Sequence, residues 1–233
     1  MVIGVRAMDV KKMVAEAAVE FIEDGMIVGL GTGSTAYWAI QKIGERISEG
    51  LKIKAVATSK TSESLARELQ IPLVDLSEID HVDLTIDGAD EVDPGLNLIK
   101  GGGGALLREK IVAAASRELV IVVDETKLVA KLGKFPLPVE VVSFGVELTR
   151  RRIEELGCRA KIRMHDEKGR YQTDNGNYII DCEFGGIEEP GELNQALNMI
   201  PGVVENGLFI KLATRVLAGY KNGYIERIEK KNY

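Results

Sequence analysis

The sequence predicts an α/β fold with a mainly parallel sheet and a second, smaller α+β unit, on three observations. Strand-like apolar runs alternate with helical patterns from about residue 9 to residue 130, the rhythm of a parallel sheet with helical connections. Two glycine-rich stretches, Gly31-Thr32-Gly33-Ser34-Thr35 and Gly101 to Gly104, lead directly into helix-forming sequence. Prolines in Phe135-Pro136-Leu137-Pro138 then break the rhythm, and the segments beyond them read strand, helix, strand, strand, helix, strand.

The elements follow in order. Asp9 to Asp24 is an amphipathic helix with Asp9 as its N-cap. Met26-Ile27-Val28-Gly29-Leu30 is a core strand that runs through the first glycine loop into a helix carrying Ala36, Trp38, Ala39 and Ile40. A second strand spans Ile53 to Thr58, a third is Val82-Asp83-Leu84-Thr85-Ile86, and ALLREKIVAAASREL after the second glycine run is helical. Glu118 to Val123 is a further strand. Beyond the prolines come strand 139–142, helix 145–156, strands 158–164 and 175–184, helix 190–200 and strand 203–209, with the turn Asp166-Glu167-Lys168-Gly169 joining the middle strands. That βαββαβ order is ferredoxin-like. The expected organisation is a Rossmann-like domain from residues 1–130 plus 207–233 and a ferredoxin-like domain over 131–206, without internal repeats.

Composition bounds the function. The 233 residues, 45% hydrophobic, suffice for a substantial core, and a net charge of −6 argues against a nucleic-acid surface. An anionic ligand therefore requires locally placed cations. Cys158 and Cys182 have neither CxxC nor metal-ligand spacing and read as thiols without function in a reducing compartment. MVIGVRAMDVKK has too short an apolar segment for a signal peptide, and no run of about 18 apolar residues marks a membrane span, so the cytoplasm is expected.

Chemistry concentrates between Asp87 and Lys110. Asp87, Asp90 and Glu91 emerge at one strand end, where like charges resist joint ionisation unless cations or backbone N–H groups stabilise them. An ordinary acidic turn is the plainer alternative. The four glycines beyond cost chain entropy, and their return is a backbone that approaches a ligand closely with its N–H groups presented. Glu109 shares a helix side with Leu106 and Ala113, where burial raises a carboxylate pKa toward that of a general base. Its neighbours Arg108 and Lys110 also fit a solvated helix face. The first loop, with Thr32, Ser34 and Thr35 at a helix N-terminus, suits a phosphate. It also satisfies G-x-G-x-x-A through Gly31, Gly33 and Ala36, but a dinucleotide site needs an acid about twenty residues on. The next strand ends instead in Thr58-Ser59-Lys60, whose hydroxyls and cation favour a phosphate monoester.

Together GTGST at 31–35, DGADE at 87–91, KGGGGA at 100–105, REK at 108–110 and VDETK at 123–127 resemble the ribose-5-phosphate isomerase family of the A type, over essentially the whole chain. The resemblance implies an aldose–ketose isomerase of the non-oxidative pentose phosphate pathway. Such an enzyme interconverts ribose 5-phosphate and ribulose 5-phosphate through a cis-enediolate, with no metal or cofactor. It implies Glu109 as the base and a catalytic set completed by Asp87, Asp90 and Lys100. The substrate-binding set it implies is Thr32, Gly33, Ser34, Thr35, Gly88, Ala89, Gly101, Gly102, Gly103 and Lys127, with Lys11 or its neighbour Lys12 on the phosphate. Asp87 and Asp90 are expected to bind the sugar hydroxyls or to move a proton between O1 and O2, which of the two does so being open, and Asp87 is the acid expected to assist ring opening. The partner is a small phosphosugar, with no nucleic acid and no membrane, and a homodimer or dimer of dimers is expected. Two other classes remain: a non-catalytic sugar-phosphate sensor on the same fold, and a nucleotide-dependent oxidoreductase, which lacks its ribose-binding acid. His81, His165 and Trp38 are expected to do no chemistry, Tyr37 to pack or border the site, and YIERIEKKNY to form a solvated helix or strand end.

Overall fold

The computed structural model describes residues 9–165 and 169–229, so residues 166–168 of the expected turn lie outside the described residues. The first half runs α1 (Val10–Val19), β1 (Ile27–Leu30), α2 (Ser34–Ser48), β2 (Lys54–Ala57), α3 (Lys60–Glu68), β3 (Val82–Asp87), the short β4 (Glu91–Val92) and β5 (Leu98–Ile99), α4 (Leu106–Ala114) and β6 (Ser116–Asp124). The second half runs β7 (Leu137–Val141), α5 (Val146–Glu154), β8 (Arg159–Ile162), β9 (Met164–His165), β10 (Gly169–Arg170), β11 (Tyr178–Glu183), α6 (Pro190–Asn198) and β12 (Val203–Asn206). It closes with β13 (Leu208–Phe209), β14 (Arg215–Gly219) and β15 (Ile225–Glu229).

The main sheet has the order β15-β14-β6-β3-β1-β2, parallel except for β15. Its central strands are apolar on both faces because helices cover both: α1 and α2 bury Val14, Ala18 and Ile43 with Val28, Leu84 and Val120, while Val112 of α4 packs with Val82 from the other side. The chain moves from β1 to β2 in one direction and to β3 in the other. Connections leaving β1 and β3 therefore diverge and open a crevice at the strands' carboxyl ends. Both sequence motifs of interest follow those two strands.

The second sheet is antiparallel with order β12-β7-β11-β8, the fourth, first, third and second strands of a βαββαβ unit, which is the ferredoxin-like arrangement. Leu137, Val139, Val141 and Ile180 pack there against Ile153 of α5 and Leu197 of α6. No helix among the described residues is long and apolar enough to cross a membrane.

Three elements differ from the sequence expectation. The first helix stops at Val19, and Phe21 and Ile22 continue its apolar pattern in tight turns to Ala18 O and Val19 O. Strand 158–164 breaks at Arg163 into β8 and β9. Strand 203–209 breaks at Gly207: β12 stays in the four-stranded sheet, whereas β13 joins β5 and β4 in a separate sheet. The break has a packing cause. Gly207 N–H donates to Pro138 O at 2.8 Å and its carbonyl accepts from Lys100 N at 2.9 Å, so a Cβ there would collide with the Lys100 carbonyl. The terminal segment YIERIEKKNY contributes the edge strand β15.

Glu91 also departs from expectation. It turns away from Asp87 and Asp90, is 3% exposed, and accepts from the N–H groups of Gly133 at 2.7 Å and Phe135 at 2.6 Å, tying the sheet to the segment entering β7. Glu91→Ala strands both donors, and urea unfolding should show a loss of about 3 kcal/mol; a loss below about 1 kcal/mol would remove this tie from the account.

Candidate active site

The loop after β1 lies almost on the end of β3. Gly31 N–H donates to Ile86 O at 3.0 Å, and a Cβ on Gly31 would stand 2.6 Å from Asp87 Cα, so glycine is required for this approach. Gly33, at φ +106°, opens α2 and leaves the first-turn N–H groups without a side-chain cap. That helix start, with Ser34 and Thr35, is a ready anion site. Lys11 Nζ reaches it, donating to Ser34 Oγ at 2.9 Å, because the Asp9 cap begins α1 directly beside the loop. Lys12 points elsewhere, with Nζ 3.7 Å from Glu16 and 5.3 Å from the Trp38 ring centroid. Of the two lysines that the sequence left open, Lys11 is the one that lies at this loop.

Beneath the loop the hydroxyls form a buried network. Thr32 Oγ1 lies 2.8 Å from Thr58 Oγ1 and from Ser59 Oγ, and Ser62 Oγ donates to Gly31 O at 2.6 Å. Thr58 and Ser59 therefore brace the loop from below instead of contacting a phosphate, and Lys60 is exposed at the start of α3. That corrects the sequence reading of all three. Thr32 lines the cavity, but its hydroxyl belongs to this network.

Across the crevice stands a chain of charges. Lys100 is 3% exposed, and its Nζ donates to Gly88 O at 2.6 Å, Asp87 Oδ2 at 3.0 Å and Glu109 Oε1 at 3.3 Å. Burial opposes its charge, but Asp87 and Glu109 more than offset this and hold Lys100 above the ordinary lysine range. Asp87 Oδ1 accepts from Thr32 N at 3.1 Å and Gly88 N at 2.8 Å, so both of its oxygens are engaged. Glu109, on the buried face of α4 with Leu106, Val112 and Ala113, is 4% exposed. Burial raises its pKa above the ordinary carboxylate range, Lys100 opposes that rise, and Asp87 adds to it. Its Oε2 is buried without a hydrogen-bond partner among the described residues. A buried carboxylate oxygen left unpartnered is costly in a purely structural residue.

The glycine run completes the wall. Gly101 and Gly104 have φ of +99° and +82°, and a Cβ on Gly102 would stand 2.6 Å from Asp90 Oδ1. Gly102 N–H donates to Asp90 Oδ2 at 2.8 Å, holding that carboxylate at the cavity.

Of the residues singled out from sequence, Lys11, Thr32, Gly33, Ser34, Thr35, Gly88, Ala89, Asp90, Lys100, Gly101, Gly102, Gly103, Glu109 and Lys127 line one cavity of about 140 Å³. Asp87 does not: it stands behind Lys100. Sequence reasoning passed over Val123 and Asp124, which also line it; Asp124 is the second residue of the VDETK stretch and the last of β6, at the carboxyl end of a parallel strand where ligands are commonly met. Arg163 and Tyr171, not singled out from sequence, reach the glycine run from the smaller unit. Tyr37 does not line the cavity, and His81 is paired with Asp83 at 3.0 Å. A larger hollow of about 570 Å³ lies at the β2 edge, but its Glu63 and Arg67 pair with each other and Arg108 with Asn175.

A family model described as ribose 5-phosphate isomerase A (phosphoriboisomerase A) matches residues 54–223. A ribose-5-phosphate isomerase A of Bacillus mycoides (strain KBAB4) is 56% identical over 220 residues, which span 94% of this chain and 99% of that one. The structure of ribose 5-phosphate isomerase A from Methanocaldococcus jannaschii is similar with a TM-score of 0.91 at 47% identity, over 95% of this chain and 99% of the other. A D-ribose-5-phosphate isomerase solved in complex with phospho-erythronic acid gives 0.92 at 41% identity, over 97% and 100%.

The two adjacent lysines are separable by experiment. Lys11→Met should raise the concentration of inorganic phosphate needed for half-maximal thermal stabilisation about tenfold, the equivalent of one lost charge-assisted hydrogen bond. Lys12→Met should leave it within about twofold, and the reverse order would move the anion site off Lys11.

Proposed function

The chain belongs to the ribose-5-phosphate isomerase A family, and from that membership we propose that it interconverts D-ribose 5-phosphate and D-ribulose 5-phosphate through a cis-enediolate, with Glu109 as the general base. The observation that carries this reading is Glu109 itself: a buried carboxylate on the cavity wall, its Oε1 toward Lys100 and its Oε2 unpartnered. A base for this reaction takes the proton from C2 and returns it to C1 on the same face, so one oxygen suffices.

The electrostatics support the cycle. Lys100 spends its three donors on Gly88 O, Asp87 and Glu109, the last bond being the longest. When Glu109 takes the substrate proton its charge disappears, and the Lys100 donor it occupied turns to the negative charge growing on the sugar oxygens. The cation is needed at the enediolate just when the base ceases to hold it. Gly103 N–H faces the same charge, and Asp90 is the carboxyl with access to the sugar hydroxyls. Asp87 maintains the charge on Lys100; an acid role in ring opening would require it to exchange one of its present bonds for the ring oxygen. At the other end, Lys11, Ser34, Thr35 and Lys127 take the phosphate, and that remote binding orients C1 and C2. Phospho-erythronic acid, bound by one structural relative, carries a carboxylate that resembles an enediolate in charge and shape.

Residues 131–206 form the smaller domain in this proposal, and the protein works as a cytoplasmic homodimer or dimer of dimers in non-oxidative pentose phosphate metabolism. Exposed Phe144, Leu148 and Met199 on the smaller domain support self-association. A non-catalytic sensor gains nothing from the unpartnered Glu109 oxygen, which favours the enzyme.

The test is ribulose 5-phosphate formation in excess EDTA without nicotinamide. Glu109→Gln should still bind ribose 5-phosphate but lose turnover by a factor on the order of 10² to 10⁴; turnover near wild type would remove Glu109 as the base. The base form appears only as pH rises through the raised Glu109 pKa, so kcat/KM should fall on acidification at a higher pH than an ordinary glutamate gives. An acid limb at or below the ordinary glutamate range would contradict the burial argument.

A further inference from the structure

The main hold on the glycine run from the smaller domain is Arg163. Arg163, at the break between β8 and β9, is 16% exposed, and its guanidinium is gripped in fork geometry by Asp181, Nε to Oδ2 at 2.9 Å and Nη2 to Oδ1 at 2.5 Å. Its remaining nitrogen, Nη1, donates to the carbonyls of both Gly101 and Gly102 at 3.1 Å. Tyr171 adds a weaker contact, its hydroxyl 3.4 Å from Gly103 O.

We propose that Arg163 is a positioning residue for the isomerisation, setting the peptide planes of the glycine run so that the N–H groups of Gly102 and Gly103 face the reacting atoms. This role rests on the function proposed above. In a planar trans peptide the carbonyl and the following N–H point in opposite directions. Drawing the Gly101 carbonyl onto Arg163 sends the Gly102 N–H away from it, where it holds Asp90 at 2.8 Å. Drawing the Gly102 carbonyl the same way sends out the Gly103 N–H, which has no partner among the described residues and belongs to a residue on the cavity wall.

Glycine is why such a clamp is needed. Glycine peptides turn over at little steric cost, so consecutive glycines leave the direction of each N–H undetermined unless something outside the run fixes the carbonyls. Arginine suits the task because one planar group grips a carboxylate on one side and two carbonyls on another; a lysine ammonium lacks that fork. The phosphate end of the cavity, built on Lys11, Ser34 and Thr35, is untouched by Arg163, so losing the clamp should affect the reacting end and spare ground-state affinity.

The experiment compares full-length wild type, Arg163→Met, Arg163→Lys and Asp181→Asn for turnover, ribose 5-phosphate dissociation constant and melting temperature, with and without methylguanidinium. Arg163→Met should lower kcat by about 100-fold, the scale of a roughly 1 Å misplacement. The dissociation constant should stay within about threefold and added methylguanidinium should restore part of kcat, as expected of transition-state contacts. Arg163→Lys should remain impaired. Asp181→Asn, which keeps the arginine but loosens its aim, should show a smaller loss and covers the case in which Arg163→Met does not fold. A kcat near wild type in Arg163→Met or Asp181→Asn, or losses of kcat and affinity together without rescue, would overturn the positioning role. A wild type that binds ribose 5-phosphate but does not turn it over would instead overturn the functional reading, and this role with it.

Discussion

A single buried ammonium organises this site. Lys100 joins the end of β3 through Asp87 and Gly88, the first helical turn of α4 through Glu109, and the junction between β12 and β13 through its backbone bond to Gly207. Removing a charge from water costs several kcal/mol even after relaxation, and only well-placed partners offset it. Lys100 has them, and Phe209 packs 5.5 Å from its Nζ. Two carboxylates around one lysine leave the cluster with one negative charge in excess. Burial and the neighbouring Asp87 charge both favour proton uptake at Glu109, and the Lys100 ammonium opposes it.

The fold makes that cluster affordable by bringing rigid elements to one point. The crevice opens where connections from β1 and β3 diverge, so the uncapped start of α2 and the acidic strand end face each other without a long loop. Gly31 permits the contact sterically, and the hydroxyl network of Thr32, Thr58, Ser59 and Ser62 stiffens it from below. The smaller unit closes the third side. Glu91, Gly207 and Arg163 each make a hydrogen bond to backbone groups between the smaller unit and the segments around the crevice, so the glycine run gains its order from outside itself.

Legibility in the sequence tracked the range of the interactions. Strands and helices with clear periodicity, the Asp9 cap, the βαββαβ order and the cavity residues supplied by contiguous motifs could all be read, because local spacing determines them. Three acids in DGADE could be read as a cluster but not separated. Asp87, Asp90 and Glu91 take different directions because their partners, Lys100, Gly102, Gly133 and Phe135, are brought in by tertiary folding. Thr58 and Ser59 were misread for the same reason: a hydroxyl at a strand end serves a ligand or the loop above it, and sequence spacing does not distinguish these. Arg163 carried no signal, standing 62 residues from the carbonyl of Gly101 to which it donates.

The most direct test of the central claim is a pH titration of the Glu109 carboxyl by carbon-13 NMR in the free protein, repeated in Lys100→Met. The account predicts a midpoint above the ordinary glutamate range in the wild type, and a higher one still without Lys100, because burial raises this carboxyl and the ammonium restrains it. A wild-type midpoint at or below the ordinary range, or one that falls when Lys100 is removed, would contradict the charge balance from which the proposed catalysis is derived.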